Sequence, residues 1–185
     1  AGPALVKAGT GIDIDKEALG GAARQADKTG IADLAVESEA DALSAARRFL
    51  SYLPTNASER PPVAEITIVP DQELLLDLVP ADSRKVYDVR KVIATIADQD
   101  SILEIKPRYA RNLVTSLARL DGRPIGVIAN QSQSKAGILD TPASEKAAHF
   151  IALCDAFGLP LVFLVDVPGF SIGPAAEDTG LGRRS

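Results

Sequence analysis

Hydrophobic residues recur along this chain with two periods, which together predict helices alternating with strands. Between 38 and 53 the apolar positions follow a helical spacing, and they are Leu43, Ala46, Leu50 and Leu53. Ser38, followed three residues later by Asp41, is typical of a helix N-cap. The stretch 87–98 repeats the helical spacing, with Asp88 as its cap and with one apolar stripe, Val89, Val92, Ile93 and Ile96. We therefore expect two amphipathic helices.

The next apolar runs predict strands. Residues 102–107 are expected to form a short strand that Pro107 ends. Two longer runs, 113–120 and 123–130, are joined by Asp121-Gly122, the strongest short-range signal for a β-hairpin. The second of them is apolar almost throughout, which predicts an interior strand buried on both faces.

A crossover helix and a further strand follow the hairpin. Thr141 is predicted to cap the helix, Pro142 takes its first position, and Gly158 ends it. The predicted buried stripe is Ala147, Phe150, Ile151, Cys154 and Phe157. The apolar strand 161–167 is expected to lie parallel to 123–130, because a strand, a helix and a strand of these lengths form a βαβ unit. The pattern as a whole predicts an α/β protein.

The remaining stretches carry weaker patterns. Residues 4–6 are predicted as a short strand, and 15–19 as a short helix. Gly20-Gly21 permits two interpretations, an anion-binding turn or a helix stop. Residues 54–65 contain three prolines and are predicted to be a linker. The stretch 66–80 has no clean period and is interpreted as an extended arm.

Composition narrows the classes of function. The net charge of −5 argues against a nucleic-acid partner, and no apolar run reaches the length of a membrane span, roughly 18–20 residues. One Cys and one His cannot form a thiolate or imidazole metal site by themselves, so no metal is expected. A single Cys also fits a reducing compartment, and we expect a cytoplasmic location, or the mitochondrial matrix of a eukaryote.

One motif suggests nucleophilic catalysis. Residues 169–173, G-F-S-I-G, match the G-x-S-x-G pattern of serine hydrolases. However, Pro168 separates the motif from its strand, and 172–174 is not expected to continue as a helix. The sole histidine, His149, lies upstream on the crossover helix, where it is interpreted as partly buried. Because a serine without a base is not activated, Ser171 is interpreted as an ordinary turn residue.

Polar residues near the carboxyl ends of the two parallel strands leave alternatives open. Asp166 is either a catalytic acid or the cap of the following turn, and Lys135 either meets a phosphate or is solvated. Cys154 is interpreted as inert packing. The loops 130–140 and 167–174 carry glycines, which let a ligand approach main-chain N–H groups, and such donors stabilise an oxyanion without any side-chain signature. In open α/β sheets, ligands bind at this edge.

Several runs carry a family resemblance. They are, in order, E-A-L-G-G-A, T-G-I-A-D, Y-D-V-R-K-V-I, P-R-Y-A-R-N, the N-Q…A-G-I-L-D loop and D-A-F-G-L-P-L-V-F-L-V-D-V-P-G-F. Together they resemble the carboxyltransferase (beta) subunit of biotin-dependent acyl-CoA carboxylases of the propionyl-CoA and acetyl-CoA type. The resemblance implies a crotonase-like fold, a spiral of βαβ-type units, of which this chain is one and a partial half. It implies the end of the first half at 1–53, a linker at 54–70 and the first part of the second half at 71–185.

The resemblance also implies a reaction and its participants. Such enzymes move a carboxyl group from carboxybiotin to the α-carbon of an acyl-CoA, and pairs of backbone N–H groups stabilise the enolate and the biotin oxyanion. Both pairs are expected outside residues 1–185, so no catalytic residue is assigned and this segment alone is expected to be inactive. Acyl-CoA contacts are expected at Asn130, Gln131, Lys135, Ala136 and Gly137. A loop that shapes the biotin side is expected at Asp166, Pro168, Gly169, Phe170 and Gly173.

The implied partners are a biotin carboxylase or biotin carrier subunit that bears the biotin, and further copies of the chain in a homo-oligomer. Gln25, Ser132 and the sequence S-I-G-P after Phe170 depart from the commoner family pattern and leave the acyl group open. Two alternatives remain: a biotin-dependent decarboxylase or transcarboxylase subunit of the same fold, and a non-catalytic binding or assembly module.

Overall fold

A four-stranded sheet forms the centre of the computed structural model, which describes residues 2–56, 58–65, 68, 70–82 and 84–185. The strands are β1 (Leu103–Ile105), β2 (Leu113–Leu120), β3 (Arg123–Asn130) and β4 (Leu161–Leu164). They lie side by side in chain order; β1, β2 and β3 are antiparallel, and β4 is parallel to β3. The α/β organisation and the parallel βαβ pairing are therefore confirmed.

The helices before the sheet are α1 (Pro3–Thr10), α2 (Lys16–Gly20), α3 (Ala22–Arg24), a π-helical turn (Gln25–Thr29), α4 (Glu39–Leu50), a 3₁₀ turn (Gln72–Leu74), α5 (Leu75–Leu78) and α6 (Val89–Ile96). Those within and after it are a short turn (Lys135–Gly137), α7 (Thr141–Ala156), α8 (Pro174–Glu177) and α9 (Leu181–Arg184).

Two predictions for the first part of the chain are wrong. Residues 4–6 belong to α1, since Pro3 at the first helical position sets a helical φ and three apolar residues do not separate a strand from a helix. The extended arm at 66–80 is helical over 72–78, where Asp71 begins the turn by accepting a hydrogen bond from the Glu73 N–H. Ile66, Thr67 and Val69, which also fall in that prediction, lie outside the described residues.

The predicted hairpin is confirmed, and a distant carboxylate completes its turn. Asp121 and Gly122 have φ angles of 54° and 74°, the left-handed pair that a two-residue type I′ turn requires. Both of their N–H groups donate to Asp98, at 3.0 and 2.8 Å, and Asp98 is buried. Asp98 thus satisfies two turn amides that have no strand partner.

The two central strands are buried on both faces, as predicted for β3. One face packs against α7 through a core of Leu103, Ile105, Leu113, Leu117, Ile128, Phe150 and Cys154, to which Tyr52 and Leu53 also belong. The other face packs against α6 through Val89, Ile93, Ala97, Val114, Ala118, Ile125, Val127 and Ala129. The alternation along β2 and β3 follows the two-residue period of a strand.

The helix caps agree with the sequence in two cases out of three. The Ser38 hydroxyl accepts from the Asp41 N–H at 3.1 Å, and Asp88 accepts from the Arg90 N–H at 3.1 Å. The cap of α7 is Asp140, which accepts from the Ala143 N–H at 3.1 Å, so the assignment of Thr141 is wrong by one residue. A carboxylate competes well for this position, and Pro142 therefore occupies the second helical position.

Apolar stripes were less well predicted than the helices that carry them. Leu43 and Leu50 of α4 are exposed, although Tyr52 and Leu53 just beyond that helix are buried. On α7, Phe150 and Cys154 are buried as predicted, whereas Ile151 is exposed. Strand β4 ends at Leu164, earlier than predicted. Val162 and Leu164 pack against the core on the α6 side, whereas Phe163 is exposed.

Candidate functional site

Two loops lie at the carboxyl ends of the parallel strands β3 and β4. We call these loops, residues 131–140 and 165–173, the ligand edge. They are joined directly: the Leu139 N–H donates to the Gly169 carbonyl at 3.1 Å, and the Ser171 N–H donates to the Leu139 carbonyl at 2.9 Å. The ligand edge is therefore one hydrogen-bonded unit.

Asn130, the last residue of β3, is hydrogen-bonded through its side chain to both loops. Its side-chain amide donates to the Gly137 carbonyl at 3.0 Å, and its side-chain oxygen accepts from the Asp166 N–H at 3.3 Å. Asn130 is only 6% exposed. Its side chain thus serves the framework of the ligand edge.

Gln131 ties the ligand edge to the start of α6. Its side-chain nitrogen donates to Asp88 at 2.5 Å, its side-chain oxygen accepts from the Gln133 N–H at 3.3 Å, and the residue is 2% exposed. Burial alone raises the pKa of Asp88, but the hydrogen bonds from Gln131 and from the Arg90 N–H, with the Arg90 charge, lower it overall. Asp88 is therefore a charged acceptor, which strengthens its bond to Gln131.

Tyr87 and Ser132 add a second link between the same two segments. The Tyr87 N–H donates to the Ser132 hydroxyl, which in turn donates to the Tyr87 carbonyl, both at 3.0 Å. The Tyr87 side chain reaches the second loop, where burial and the neighbouring Asp166 carboxylate together raise the pKa of Tyr87 to about 12. Asp166 is exposed at the ligand edge and lies beside this neutral phenol.

A left-handed turn forms the most strained part of the ligand edge. Lys135, Ala136 and Gly137 have successive φ angles of 49°, 52° and 74°, and only the last is a residue for which this conformation is easy. The Gly137 N–H donates to the Ser134 carbonyl at 2.9 Å. In the described part of the chain, the N–H groups of Lys135 and Ala136 have no acceptor, and both residues are exposed. Strain of this kind is commonly held at functional sites.

Lys135 forms an ion pair within its own loop. Its ammonium lies 2.5 Å from Asp140, which also caps α7 and accepts from Asn112 at 3.2 Å. Burial raises the pKa of Asp140, but the hydrogen bonds from Lys135, Asn112 and Ala143 outweigh it and lower the pKa overall. Lys135 is still largely exposed, so its charge faces solvent at the ligand edge.

The structure gives the serine motif no base. Ser171 lies on the bridge between the two loops, whereas His149 is exposed on α7 and lines a different cavity of about 410 Å³. The residues of that cavity are Thr29, Gly30, Ile31, Asp33, Lys106, Tyr109, Glu145, Lys146 and His149. The interpretation of His149 as partly buried is wrong. As expected, no helix continues directly from Ser171: Ile172 and Gly173 are non-helical, and the four-residue α8 begins only at Pro174. The interpretation of Ser171 as a turn residue agrees with this geometry.

Cys154 is packed in the core, in agreement with its sequence interpretation. Its side chain is fully buried, and burial raises the pKa of the thiol to about 11. No group of three His, Cys, Asp or Glu side chains able to hold a metal ion is found among the described residues. In the same part of the chain, no helix has the length and apolar character needed to cross a bilayer.

Sequence reasoning missed the residues that support the ligand edge from a distance. The side-chain amide of Asn112 donates to the Ile138 carbonyl at 2.6 Å. The main-chain carbonyl of Asn112 accepts from the Gln131 N–H at 3.0 Å. Asp88 and Tyr87 precede their partners by more than forty positions. No local pattern distinguishes such residues from ordinary caps and loop positions.

The fold defines a class before any comparison: an α/β protein whose ligand edge is built from main chain. Residues 1–185 match the carboxyl transferase domain family. A propionyl-CoA carboxylase beta chain of Roseobacter denitrificans is 42% identical over 182 residues, which are 97% of this chain and 36% of the relative. A methylmalonyl-CoA decarboxylase subunit alpha of Veillonella parvula is 41% identical over 184 residues, 98% of this chain and 36% of the relative.

Solved structures agree with the sequence relatives. A transcarboxylase 12S structure, described as a hexamer assembly with methylmalonyl-coenzyme A and methylmalonic acid bound, superposes with a TM-score of 0.95 at 43% identity, covering 100% of this chain and 36% of that one. This chain belongs to the carboxyl transferase domain family, and the predicted crotonase-like carboxyltransferase fold is confirmed. It spans roughly a third of the length of the relatives it matches.

Proposed function

We propose that the protein containing this chain transfers a carboxyl group between biotin, borne by a partner carrier subunit, and the α-carbon of an acyl-CoA. The family and the names of its relatives support the reaction class. Within this chain, the ligand edge is the proposed contact surface. Its acyl-CoA contacts are proposed at the left-handed turn Lys135–Gly137, and its biotin side at Asp166 and the loop Pro168–Gly173.

One observation carries the assignment of the ligand edge. The N–H groups of Lys135 and Ala136 are held in a strained turn and have no acceptor in the described part of the chain. Such preorganised donors suit an oxygen acceptor of the acyl-CoA, because they need no reorganisation when the ligand binds. The two N–H pairs that stabilise the enolate and the biotin oxyanion are still expected outside residues 1–185. Bound biotin supplies the nitrogen that carries the carboxyl group.

The buried amides have a different role in this proposal. Asn130 and Gln131 do not offer free polar atoms, because their side chains are bonded to Gly137, Asp166, Asp88 and Gln133. We assign them as positioning residues that hold the turn and Asp166 at a fixed separation. Catalysis is sensitive to misplacements as small as about 1 Å, so this support matters to the rate.

The chain has relatives that are named for carboxylation and for decarboxylation of an acyl-CoA. The carboxylase and decarboxylase relatives are 42% and 41% identical to this chain, so similarity alone does not choose between them. The transcarboxylase structure is equally similar, and it is described as a hexamer; we propose a homo-oligomer for this protein as well.

The assay uses the intact protein with its biotin-bearing partner, bicarbonate and ATP. Carboxylation of an acyl-CoA that depends on both ATP and biotin is the expected result. Loss of free CO₂ from a malonyl-type thioester, without ATP-driven carboxylation, would assign the decarboxylase alternative instead. Tight binding of the partner subunit with no binding of CoA or biotin would support the non-catalytic module.

A further inference from the structure

A buried lysine on α7 holds the loop that connects β1 to β2, residues 106–112. The ammonium of Lys146 donates to the carbonyls of Lys106 and Tyr109, both at 2.9 Å, and to the carbonyl of Leu113 at 2.7 Å. Lys146 is only 2% exposed. An ammonium has three donors and no acceptor, so each donor of Lys146 has a main-chain partner of its own.

Main-chain carbonyls, and not a carboxylate, surround this charge. No carboxylate lies within ion-pair distance of Lys146 among the described residues. Burial lowers the pKa of Lys146 to about 8; attraction to Glu104 opposes this, and the charges of Arg90 and Lys106 add to it. At about pH 7 the ammonium form therefore predominates. Because a buried charge is costly unless it is hydrogen-bonded, the ammonium and its three carbonyls hold one another in place.

The loop that Lys146 holds has a strained main chain. Lys106 and Ala110 have φ angles of 54° and 43°, and such angles persist in residues other than glycine only where the surroundings impose them. Lys106 is tied on its other side to the segment before α4: its N–H donates to the Asp33 carbonyl at 2.9 Å, and its ammonium lies 2.7 Å from the Asp33 carboxylate. The loop is therefore fixed between α7 and that segment.

The last residue of the loop, Asn112, reaches the ligand edge. It is 1% exposed. Its main-chain carbonyl accepts from the Gln131 N–H at 3.0 Å, and its side-chain amide donates to the Ile138 carbonyl at 2.6 Å. Asn112 thus contacts both ends of the stretch that contains the left-handed turn, so a shift of the loop that Lys146 holds would also shift the turn.

We infer that Lys146 is a positioning residue: its ammonium fixes the loop between β1 and β2, and the loop, through Asn112, sets the position of the left-handed turn. The inference rests on the proposed function, since the turn is the proposed contact of the acyl-CoA. Lys146 needs no contact with a ligand for this role, because its three donors are bonded within the protein.

A double-mutant cycle tests the path through Asn112, with carboxyl transfer by the intact protein normalised to its folded fraction. Lys146→Met and Asn112→Ala are each expected to lower kcat roughly tenfold, with a smaller change in KM. The double variant is expected to lose little more than either single variant, because both act on one contact. A loss of roughly a hundredfold, the product of two independent effects, would overturn the path. Lys91→Met, at an exposed position of α6, is the control and is expected to keep the wild-type kcat and KM.

Chemical rescue tests the donors themselves. Lys146→Ala leaves the three carbonyls without donors beside the cavity of about 410 Å³ that Lys146, Lys106 and Tyr109 help to line. n-Propylammonium supplies the missing atoms and is expected to restore kcat in a saturable manner. Tetramethylammonium carries the same charge without N–H donors and is expected to restore nothing. Equal restoration by the two cations, or restoration by neither, would overturn the role assigned to the ammonium.

Hydrogen exchange keeps this result apart from the proposed function. In the intact protein, Lys146→Met is expected to speed exchange in segments 106–113 and 131–139, and Lys91→Met in neither. If the wild type transfers no carboxyl group but both segments respond, the proposed function fails and the positioning role stands. Faster exchange in 106–113 alone, or active enzyme with unchanged exchange and kcat, would refute the inference alone.

A variant prepared with the amine covers the case in which Lys146→Met does not fold. Lys146→Ala is purified in n-propylammonium and measured before and after its removal by dialysis. Removal is expected to lower kcat and to speed exchange in segments 106–113 and 131–139. Unchanged exchange and kcat after removal would overturn the inference.

Discussion

The side-chain amide of Gln131 donates to the carboxylate of Asp88 over 2.5 Å, and this bond joins the ligand edge to the first turn of α6. Both residues form other hydrogen bonds: Asp88 caps α6, and the side-chain oxygen of Gln131 accepts from the Gln133 N–H. The bond therefore couples the position of the loop after β3 to the position of the N-terminus of α6.

Replacement of Gln131 is expected to destabilise the protein. Gln131→Ala leaves the buried side of Asp88 with one donor fewer, and an unsatisfied buried partner costs about 1–3 kcal/mol. Chemical denaturation measures the change in the free energy of unfolding. Gln133→Ala, at an exposed neighbouring position, is the control and is expected to change it by less than about 0.5 kcal/mol. Equal effects of the two substitutions would contradict the role assigned to the Gln131 bond.

Gly126 is required by the packing of α7 on β3. A Cβ at this position would lie 2.5 Å from the Cys154 sulfur and 3.1 Å from a ring carbon of Phe150. Overpacking of this kind typically costs about 1–3 kcal/mol, so Gly126→Ala is expected to lower the free energy of unfolding by that amount.

A second substitution tests the same contact. Cys154→Ala removes the sulfur and is expected to make Gly126→Ala less costly, with a coupling energy of about 0.5–3 kcal/mol in a double-mutant cycle. Strict additivity of the two changes would show that the sulfur does not oppose the added methyl group.

The buried thiol predicts a specific dependence of stability on pH. The pKa of Cys154 is raised from 9.0 to about 11 by burial, so above pH 9 the unfolded chain loses this proton while the folded chain keeps it. The contribution of this protonated thiol to the free energy of unfolding is complete below 9.0, the pKa of Cys154 in the unfolded chain. It is lost as the pH rises through about 11, the pKa of Cys154 in the folded chain. Between about pH 9 and about pH 11, the wild type is expected to lose more stability than Cys154→Ala. Tyr87 and Lys146, whose pKa values are also shifted, are common to both proteins. Parallel stability curves would contradict the prediction.

Much of the central fold follows from local patterns. The hairpin was predictable because Asp121-Gly122 specifies its turn chemically, and the βαβ unit because an apolar strand, a helix with Pro142 near its start and a second apolar strand follow one another. The exposed Leu43 and Leu50 were not predictable, because a helical period shows which residues share a face and not how much of that face is covered.

The framework of the candidate site was harder to predict for a physical reason. Asn130 and Gln131 were named as acyl-CoA contacts because of the family resemblance of the loop after the hairpin, and that assignment remains a prediction. Their buried partners are brought close only by the fold, as with Asp88 and Gln131. The left-handed conformation of Ala136 has no sequence signal at all, since alanine does not favour it.

Asn130 is expected to affect turnover more than binding of acyl-CoA. Asn130→Ala removes the donor to Gly137 and the acceptor for Asp166. Each loop then loses a hydrogen bond that holds it to the end of β3. Steady-state carboxylation by the intact protein is expected to show kcat lowered roughly tenfold or more, with a smaller change in KM. Asn130→Asp keeps an acceptor for Asp166 but not the donor to Gly137 and is expected to be intermediate. A rise in KM at constant kcat would instead identify Asn130 as a direct binding residue.

The most direct test of the main-chain site compares two glycines that share a backbone conformation. Gly137 and Gly158 have φ angles of 74° and 64°, so alanine is strained at both, by about 1 kcal/mol. Only at Gly137 does the added Cβ meet close neighbours, the Asp166 carbonyl oxygen at 3.1 Å and the Asn130 Cβ at 3.3 Å; at Gly158 nothing lies within 4 Å. The measurement is biotin-dependent carboxyl transfer to acyl-CoA by the two intact variants. We expect Gly137→Ala to lower kcat roughly tenfold or more relative to Gly158→Ala. Equal activity of the two variants would contradict a catalytic contribution from the left-handed turn.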